Sequence, residues 1–565
     1  MEVVILLIGI VAVFLYVMIR GTIEEKNNRK KYREHLRSQY GNFPDREYSS
    51  EELKNITRLF EHIRGNNCID DITWNDLEMD RMYILANHTQ SAAGAEYLYY
   101  MLRSPKLKKD GTDKLEKHIS YLMDNGEERL DLQMILHDLG TTGRFSMFDY
   151  LDYLDNLGSR SNIPHILSFA ALLLSIAVIF VSASKGIILL IIVSILNIIN
   201  YVKEKNQVTP YVTSFAYIMR MLSCADKILK SPLTDMADYK EELNTKNHKL
   251  DSFRKNSTIV LQMNNSTGNP ADIVFDYIKM MTHIDIIQFN RMLNQVLRMK
   301  QEIQCLALDI GYIDAVISIG AFRKSLNYYC VPELCENKDE AFSIKEGFHP
   351  FITNPVPNSF EQRRGMLITG SNASGKSTFL KMVAVNAILA QTINTCAAKS
   401  YHGSFFRIYS SMALRDNLDY GESYYIVEIK ALKRIVDVAE KTLISTDDIP
   451  LLCFVDEVLR GTNTVERIAA SAQILEYLSQ KGIYCFAATH DIELTHLLEN
   501  SYDNYHFEEE VKDGDMLFSY HLLPERAQTR NAIRLLELIG FSDNIIQKAD
   551  KLAGNFLQTG KWDKA

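Results

Sequence analysis

Gly370-Ser371-Asn372-Ala373-Ser374-Gly375-Lys376-Ser377-Thr378 follows the apolar run Met366-Leu367-Ile368 and leads directly into Phe379-Leu380-Lys381-Met382-Val383, a stretch of helical character. A strand that ends in a glycine-rich turn and opens into a helix aims its first backbone N–H groups at one point, and that point attracts phosphate. The whole of 370–378 is therefore the candidate nucleotide-binding loop. Lys376 is placed to reach β- and γ-phosphates, and the Ser377 hydroxyl to ligate magnesium.

Two further apolar runs supply the rest of such a site. Leu451-Leu452-Cys453-Phe454-Val455 ends in Asp456-Glu457, and an all-apolar strand with carboxylates at its carboxyl end is what a buried parallel sheet presents at its ligand edge. Asp456 is expected to hold magnesium through water, and Glu457 to polarise the attacking water. The run Ile483 to Ala488 ends in Thr489-His490-Asp491. His490 either touches the γ-phosphate or is an ordinary polar residue at a strand end. ATP and Mg2+ are the cofactors this set implies, and ATP hydrolysis is the reaction.

These segments together resemble the ATPase domain of the MutS family of DNA mismatch repair proteins. The resemblance rests on the glycine loop, on Asp456-Glu457-Val458-Leu459-Arg460-Gly461-Thr462-Asn463 and on Ala488-Thr489-His490-Asp491-Ile492-Glu493-Leu494. His349-Pro350, Asn531-Ala532-Ile533 and the run Leu535 to Phe541 are similar to further family landmarks. The resemblance implies a P-loop domain of ABC type with a mainly parallel sheet, working as a homodimer. It also makes Gly421-Glu422-Ser423-Tyr424, with Val427-Glu428, the signature segment that reaches the opposing subunit's nucleotide, so that Ser423 acts in trans. Upstream, Asp71 to Pro105 is similar to the start of the family's helical core, and Leu308 to Pro332 to the end of its lever helices.

Three departures limit what carries over. Residues 1–70 leave no room before the core-like region for the family's mismatch-reading and connector domains. A Phe-x-Glu, Phe507-Glu508-Glu509, lies after the ATPase strands rather than in an N-terminal reader and is given no mismatch role. The third departure is a set of uncharged runs, Val3–Ile19, Ile166–Ser184 and Gly186–Val202. The shorter ones make about 26 Å of helix at 1.5 Å per residue, enough for a hydrocarbon core. The first lacks the basic start and small-residue cleavage site of a signal peptide and is read as an anchor, the other two as a hairpin. Arg20, Lys26, Arg29, Lys30, Lys31 and Arg33 follow the first run, and Lys203 and Lys205 the third. Positive charge favours the cytoplasmic side, so the expectation is a multi-pass plasma-membrane protein with its N-terminus outside and its ATPase in the cytoplasm.

The expected organisation is an anchor at 1–20, a cytoplasmic helical segment at 21–162, a membrane hairpin at 163–203, lever-like helices at 204–335 and the ATPase domain at 336–565. Between hairpin and ATPase, Phe215, Ile218, Leu222, Ala225 and Leu229 have helical spacing. Long amphipathic stretches from Ile286 to Phe322 are expected to break at Gly311 and Gly320, Tyr239–Asn265 reads as a solvated turn, and Pro355, Pro357 and Asn358 mark the loop into the ATPase domain.

With 62 basic against 71 acidic residues the formal charge is −9, which argues against a generally basic nucleic-acid surface without excluding a local groove. The basic run at 26–37 reads as a topology and lipid-contact signal. The cysteines at 68, 224, 305, 330, 335, 396, 453 and 485 show no metal-ligand spacing and suit a reducing compartment and buried positions. Three functions stay open: a membrane-anchored MutS-like ATPase that moves its helices, a membrane-tethered DNA-binding protein of repair or recombination, and an ABC-type transporter subunit. The family's lever helices end in a DNA clamp, and the hairpin falls where that clamp would be. No charge inside the spans marks a transport path.

Overall fold

All-apolar strands need cover on both faces, and the C-terminal part of the chain provides it. A computed structural model describes the chain except residues 1, 141–145, 255–269, 372–373, 413–423, 446–447, 460–462, 513–514, 528–532, 534–535, 537–539 and 560–565. Helices dominate as far as Ser325, and mixed α/β structure follows. The chain folds as two compact units that interleave in sequence: residues 1–64, 86–100 and 117–322 form the first, and 65–85, 101–116 and 323–565 the second.

Among the described residues the second unit holds ten strands: β1 (Glu333–Cys335), β2 (Phe342–Gly347), β3 (Asn358–Gln362), β4 (Gly365–Thr369), β5 (Ser400–Ser404), β6 (Arg407–Ser411), β7 (Leu451–Asp456), β8 (Ile483–Ala488), β9 (Tyr502–Lys512) and β10 (Asp515–Pro524). Six form a sheet in the order β10-β9-β4-β8-β7-β6. All neighbours in it are parallel except β10, which runs antiparallel to β9. β4, β7 and β8 are buried at every position, as unbroken apolar runs covered on both faces must be. One face packs Leu367, Cys453, Val455 and Cys485 against Ile435 and Leu475. Phe342, Phe360 and Phe379 form an edge-to-face aromatic cluster with Phe486. A second sheet has the order β1-β5-β2-β3. Pro355 and Pro357 lie between β2 and β3, so the sheets begin upstream of the loop expected to lead into this domain.

The first unit is helical. Glu2–Gln39 is one helix, and its basic residues are engaged by acids on Gly126–Leu139: Arg33 with Glu127 and Asp131, Arg37 with Glu127, and Arg29 with Asp138. Tyr239–Asn265 is not simply a turn, because Ala237–Lys249 is a helix that buries Tyr239, Leu243 and Asn247 at four-residue spacing and leaves its charges on the other face. Nor do Gly311 and Gly320 break the helices after Ile286. Lys300–Ser325 is continuous, and a Cβ at Gly311 would lie 2.5 Å from the Ala93 carbonyl oxygen, one at Gly320 2.9 Å from the Tyr40 hydroxyl. These glycines let another segment approach the helix.

Ile163–Val181 and Ala183–Val208 form a helical hairpin turned at Ser182. The turn therefore precedes Lys185, which lies in the first turn of the second helix. Three helical stretches among the described residues are long and apolar enough to cross a membrane, and burial separates them. Within the most apolar window only 11% of Ile163–Val181 and 17% of Ala183–Lys230 is buried, against 78% of Lys300–Ser325. The last is a protein-packed helix. The hairpin instead exposes Leu167, Leu174, Phe180, Ile188 and Leu196. Its buried polar groups are satisfied within it and by the helices that follow: Asn197 donates to the Ser168 and Met281 carbonyls, and the Tyr201 hydroxyl donates to Asp285 at 2.7 Å.

Candidate functional site

Parallel neighbours bring strand ends together, so the carboxyl ends of β4, β7 and β8 form one edge. β4 runs into Gly370 and the loop closes at Gly375, with φ of +149° and +110°. A Cβ at Gly370 would sit 2.8 Å from Ser374 Oγ and 3.0 Å from the Phe507 carbonyl oxygen, so only glycine permits this cradle. Lys376 opens the helix Lys376–Ile393 and is buried. Its Nζ donates to the Gly370 and Ser371 carbonyls at 2.8 and 2.7 Å. Ser377 and Thr378 follow it on the exposed first turn. Asn372 and Ala373 lie outside the described residues, as do Ser423 and Arg460-Gly461-Thr462.

The acidic and imidazole groups converge on the same loop. Asp456 ends β7 opposite Ala488 at the end of β8. Glu457 then adopts a left-handed conformation, φ +57°, pinned by its N–H to the Ala488 carbonyl at 2.9 Å. His490 Nε2 lies 2.8 Å from Glu457 Oε1 and 3.3 Å from Lys376 Nζ. One imidazole nitrogen cannot donate to a carboxylate while accepting from an ammonium, and the shorter contact makes Nε2 the donor to Glu457. His490 thus lies between the loop lysine and the Glu457 carboxylate, with its hydrogen bond to the carboxylate. Arg467 holds the segment behind it through a two-pronged pair with Asp491, at 2.9 and 2.6 Å.

Two features were not legible in the spacing. Glu428, read in the sequence as part of the segment facing the other subunit, is buried in its own chain and accepts the Leu459 N–H at 2.6 Å, fixing the turn after Glu457. Beside the loop lies a cavity of about 430 Å3 lined by Phe348, His349, Ile352, Thr378, Phe507 and Tyr520, among others. Its walls are mostly apolar and aromatic, and Gly375 of the loop lies on its rim. His349 is mostly buried and accepts the Phe351 N–H on Nδ1 at 3.3 Å. Burial, with Lys381 and Arg81 adding, pushes its pKa down to about 4, against a smaller opposing effect of Glu78. Phe507 thus lines this cavity, Glu508 pairs with His506 and Glu509 accepts from Ser371, which gives Phe507-Glu508-Glu509 a place beside the nucleotide loop.

The glycine cradle, the lysine within it, the hydroxyl of Ser377 and the Asp456 carboxylate fit a magnesium nucleotide in donor type. The family model described as MutS domain V matches residues 366–557. Residues 366–557 thus match a MutS domain, and the C-terminal half of the chain is similar to MutS proteins. Its relatives include the DNA mismatch repair protein MutS of Chlamydia pneumoniae, 28% identical over 47% of this chain and 32% of the relative. The MutS protein of Desulfovibrio desulfuricans is 32% identical over 46% and 29%, and that of Alkaliphilus oremlandii 30% identical over 48% and 31%. The match spans about a third of the length of each of these MutS proteins.

Proposed function

We propose that this protein is a magnesium-dependent ATP hydrolase of MutS type, which works as a head-to-tail homodimer and is anchored in the plasma membrane by its N-terminal helix and by the hairpin at 163–203. The observation that carries the hydrolase reading is the convergence of Lys376, Glu457 and His490 at the carboxyl edge of a parallel sheet. The loop N–H groups and Lys376 bind and orient the phosphates, and the base lies in the cavity between His349 and Tyr520. Ser377 and Asp456 would hold magnesium, which when bound would neutralise phosphate charge. Glu457 takes a proton from the attacking water, and His490 holds that carboxylate in position.

Closure of the dimer, with Ser423 completing the partner's site, would be felt by the helical unit, because the chain passes between the units at 64–65, 85–86, 100–101, 116–117 and 322–323. The exposed apolar faces of the hairpin support a membrane as the place where that movement acts, with the N-terminus outside and the ATPase in the cytoplasm. DNA is the alternative target, favoured by the mismatch-repair names of the relatives. Hydrolysis by the full chain in detergent tests the central claim. Glu457→Gln should retain ATP binding and lose at least about 100-fold in turnover, whereas Lys376→Ala should weaken binding. Equal turnover in Glu457→Gln and the wild type would sink the assignment. Salt-sensitive DNA binding by the same preparation would favour the alternative target.

A further inference from the structure

We propose that Cys335, Glu340 and His402 form a zinc-binding site in the four-stranded sheet of the second unit. One ligand atom from each lies within 4.8 Å of the others, and all three side chains are only partly buried. That spread is close to what ligands about 2.0–2.3 Å from one ion adopt, and small side-chain rotations close it.

The strand register builds the cluster. β1 pairs in parallel with β5, Glu333 opposite His402 and Cys335 opposite Ser404, and the two-residue period of a strand puts Glu333, Cys335 and His402 on one face. Glu340 comes from the connection to β2, which is held in place from several sides. The Tyr484 hydroxyl donates to the Glu340 carbonyl at 2.6 Å, Ser404 Oγ to the Asn337 carbonyl at 2.5 Å, and Asn337 Nδ2 to the Glu340 carboxylate at 3.3 Å.

His402 is also oriented as a metal ligand needs. Its Nε2 faces Glu340 Oε1 at 3.1 Å, and its Nδ1 faces Glu333 Oε2 at 3.4 Å. A carboxylate behind one ring nitrogen selects the tautomer that offers the other to an ion. A thiolate, an imidazole and one carboxylate select zinc over magnesium or calcium, and three protein ligands leave a fourth position for water. Burial, then Glu340 and Glu333, push the Cys335 thiol up. Zinc capture therefore breaks the S–H bond, forms the zinc–sulfur bond and releases one proton to solvent. The bound ion ties β1 and β5 to the connection before β2.

The test uses the full-length, metal-stripped protein in detergent, titrated with Zn2+ against a chromophoric chelator and with Co2+ as a spectroscopic probe. One equivalent of Co2+ should give a thiolate-to-cobalt charge-transfer band, and Zn2+ should displace it. Cys335→Ser should abolish the band, His402→Gln should abolish zinc competition, and Glu333→Gln should keep the band while weakening zinc about 10-fold. Circular dichroism confirms that each variant is folded, and none of these readouts depends on ATP hydrolysis. Absence of the band in the wild type, or its survival in a folded Cys335→Ser, overturns the site. If Cys335→Ser does not fold, unchanged zinc affinity in His402→Gln overturns it instead.

Discussion

At the residue scale, the left-handed Glu457 is the position to explain. A non-glycine residue in that conformation costs about 1–3 kcal/mol, and it is held by the Ala488 carbonyl and by His490, with Glu428 fixing the turn that follows. That cost aims a carboxylate at the phosphate loop. His349 carries a second residue-scale consequence. Its folded pKa, about 4, lies below the 6.5 of an unperturbed histidine, so between those values the unfolded chain binds more protons and stability falls as pH falls. His88, also pushed down to about 4 by burial, acts in the same direction. Asp314, fully buried and pushed up to about 6, acts oppositely, its contribution present below 3.8 and lost as pH rises through 6. His349 alone should cost about 2 kcal/mol between about pH 7 and pH 5. Urea midpoints of wild type and His349→Gln at both pH values check this, and an equal acid-side loss in the two would refute it.

At the scale of elements, Gly311 and the hairpin give sharp expectations. Gly311→Val inserts a branched side chain where the Ala93 carbonyl oxygen is 2.5 Å from the Cβ position, and should destabilise the first unit by about 1–3 kcal/mol. A chemical-denaturation midpoint equal to that of the wild type would contradict the close approach. For the hairpin, a single cysteine belongs at exposed Ser184 and not at Gly186, whose Cβ would lie 2.5 Å from the Ile179 nitrogen. In a chain stripped of its native cysteines, Ser184→Cys should react with an impermeant thiol reagent on intact cells and Ser50→Cys should not. Labelling at position 50 would overturn the proposed orientation. Release of the full chain by an alkaline wash would return the hairpin to the soluble state.

At the scale of the whole molecule, the proposed dimer has a direct test. Lys376→Ala and Ser423→Ala chains should each be inactive alone, because one lacks the phosphate-binding lysine and the other the group acting in trans. Mixed dimers keep one composite site with both groups intact, so mixing should restore about a quarter of wild-type hydrolysis if subunits pair at random and sites act independently. No recovery in verified mixed dimers would place each site within a single chain or make both sites obligatory.

The nucleotide loop, the Asp456-Glu457 strand and the His490 strand end were legible in the sequence because each is a local pattern: an apolar run, a turn that needs glycine, then a helix or a carboxylate. Apolar length marked the hairpin for the same reason. Linear order could not show that Lys300–Ser325, similar in hydropathy, is buried in protein while the hairpin is not, since hydropathy reports what a helix avoids and not what covers it. Nor could it show why Gly311 and Gly320 leave their helix intact, because the partners that need the space, Ala93 and Tyr40, are hundreds of residues away. The cavity between Phe348 and Tyr520 and the Cys335–Glu340–His402 cluster arise from strand register and loop closure. Those are properties of the tertiary structure, set when distant segments pair to bury the all-apolar strands.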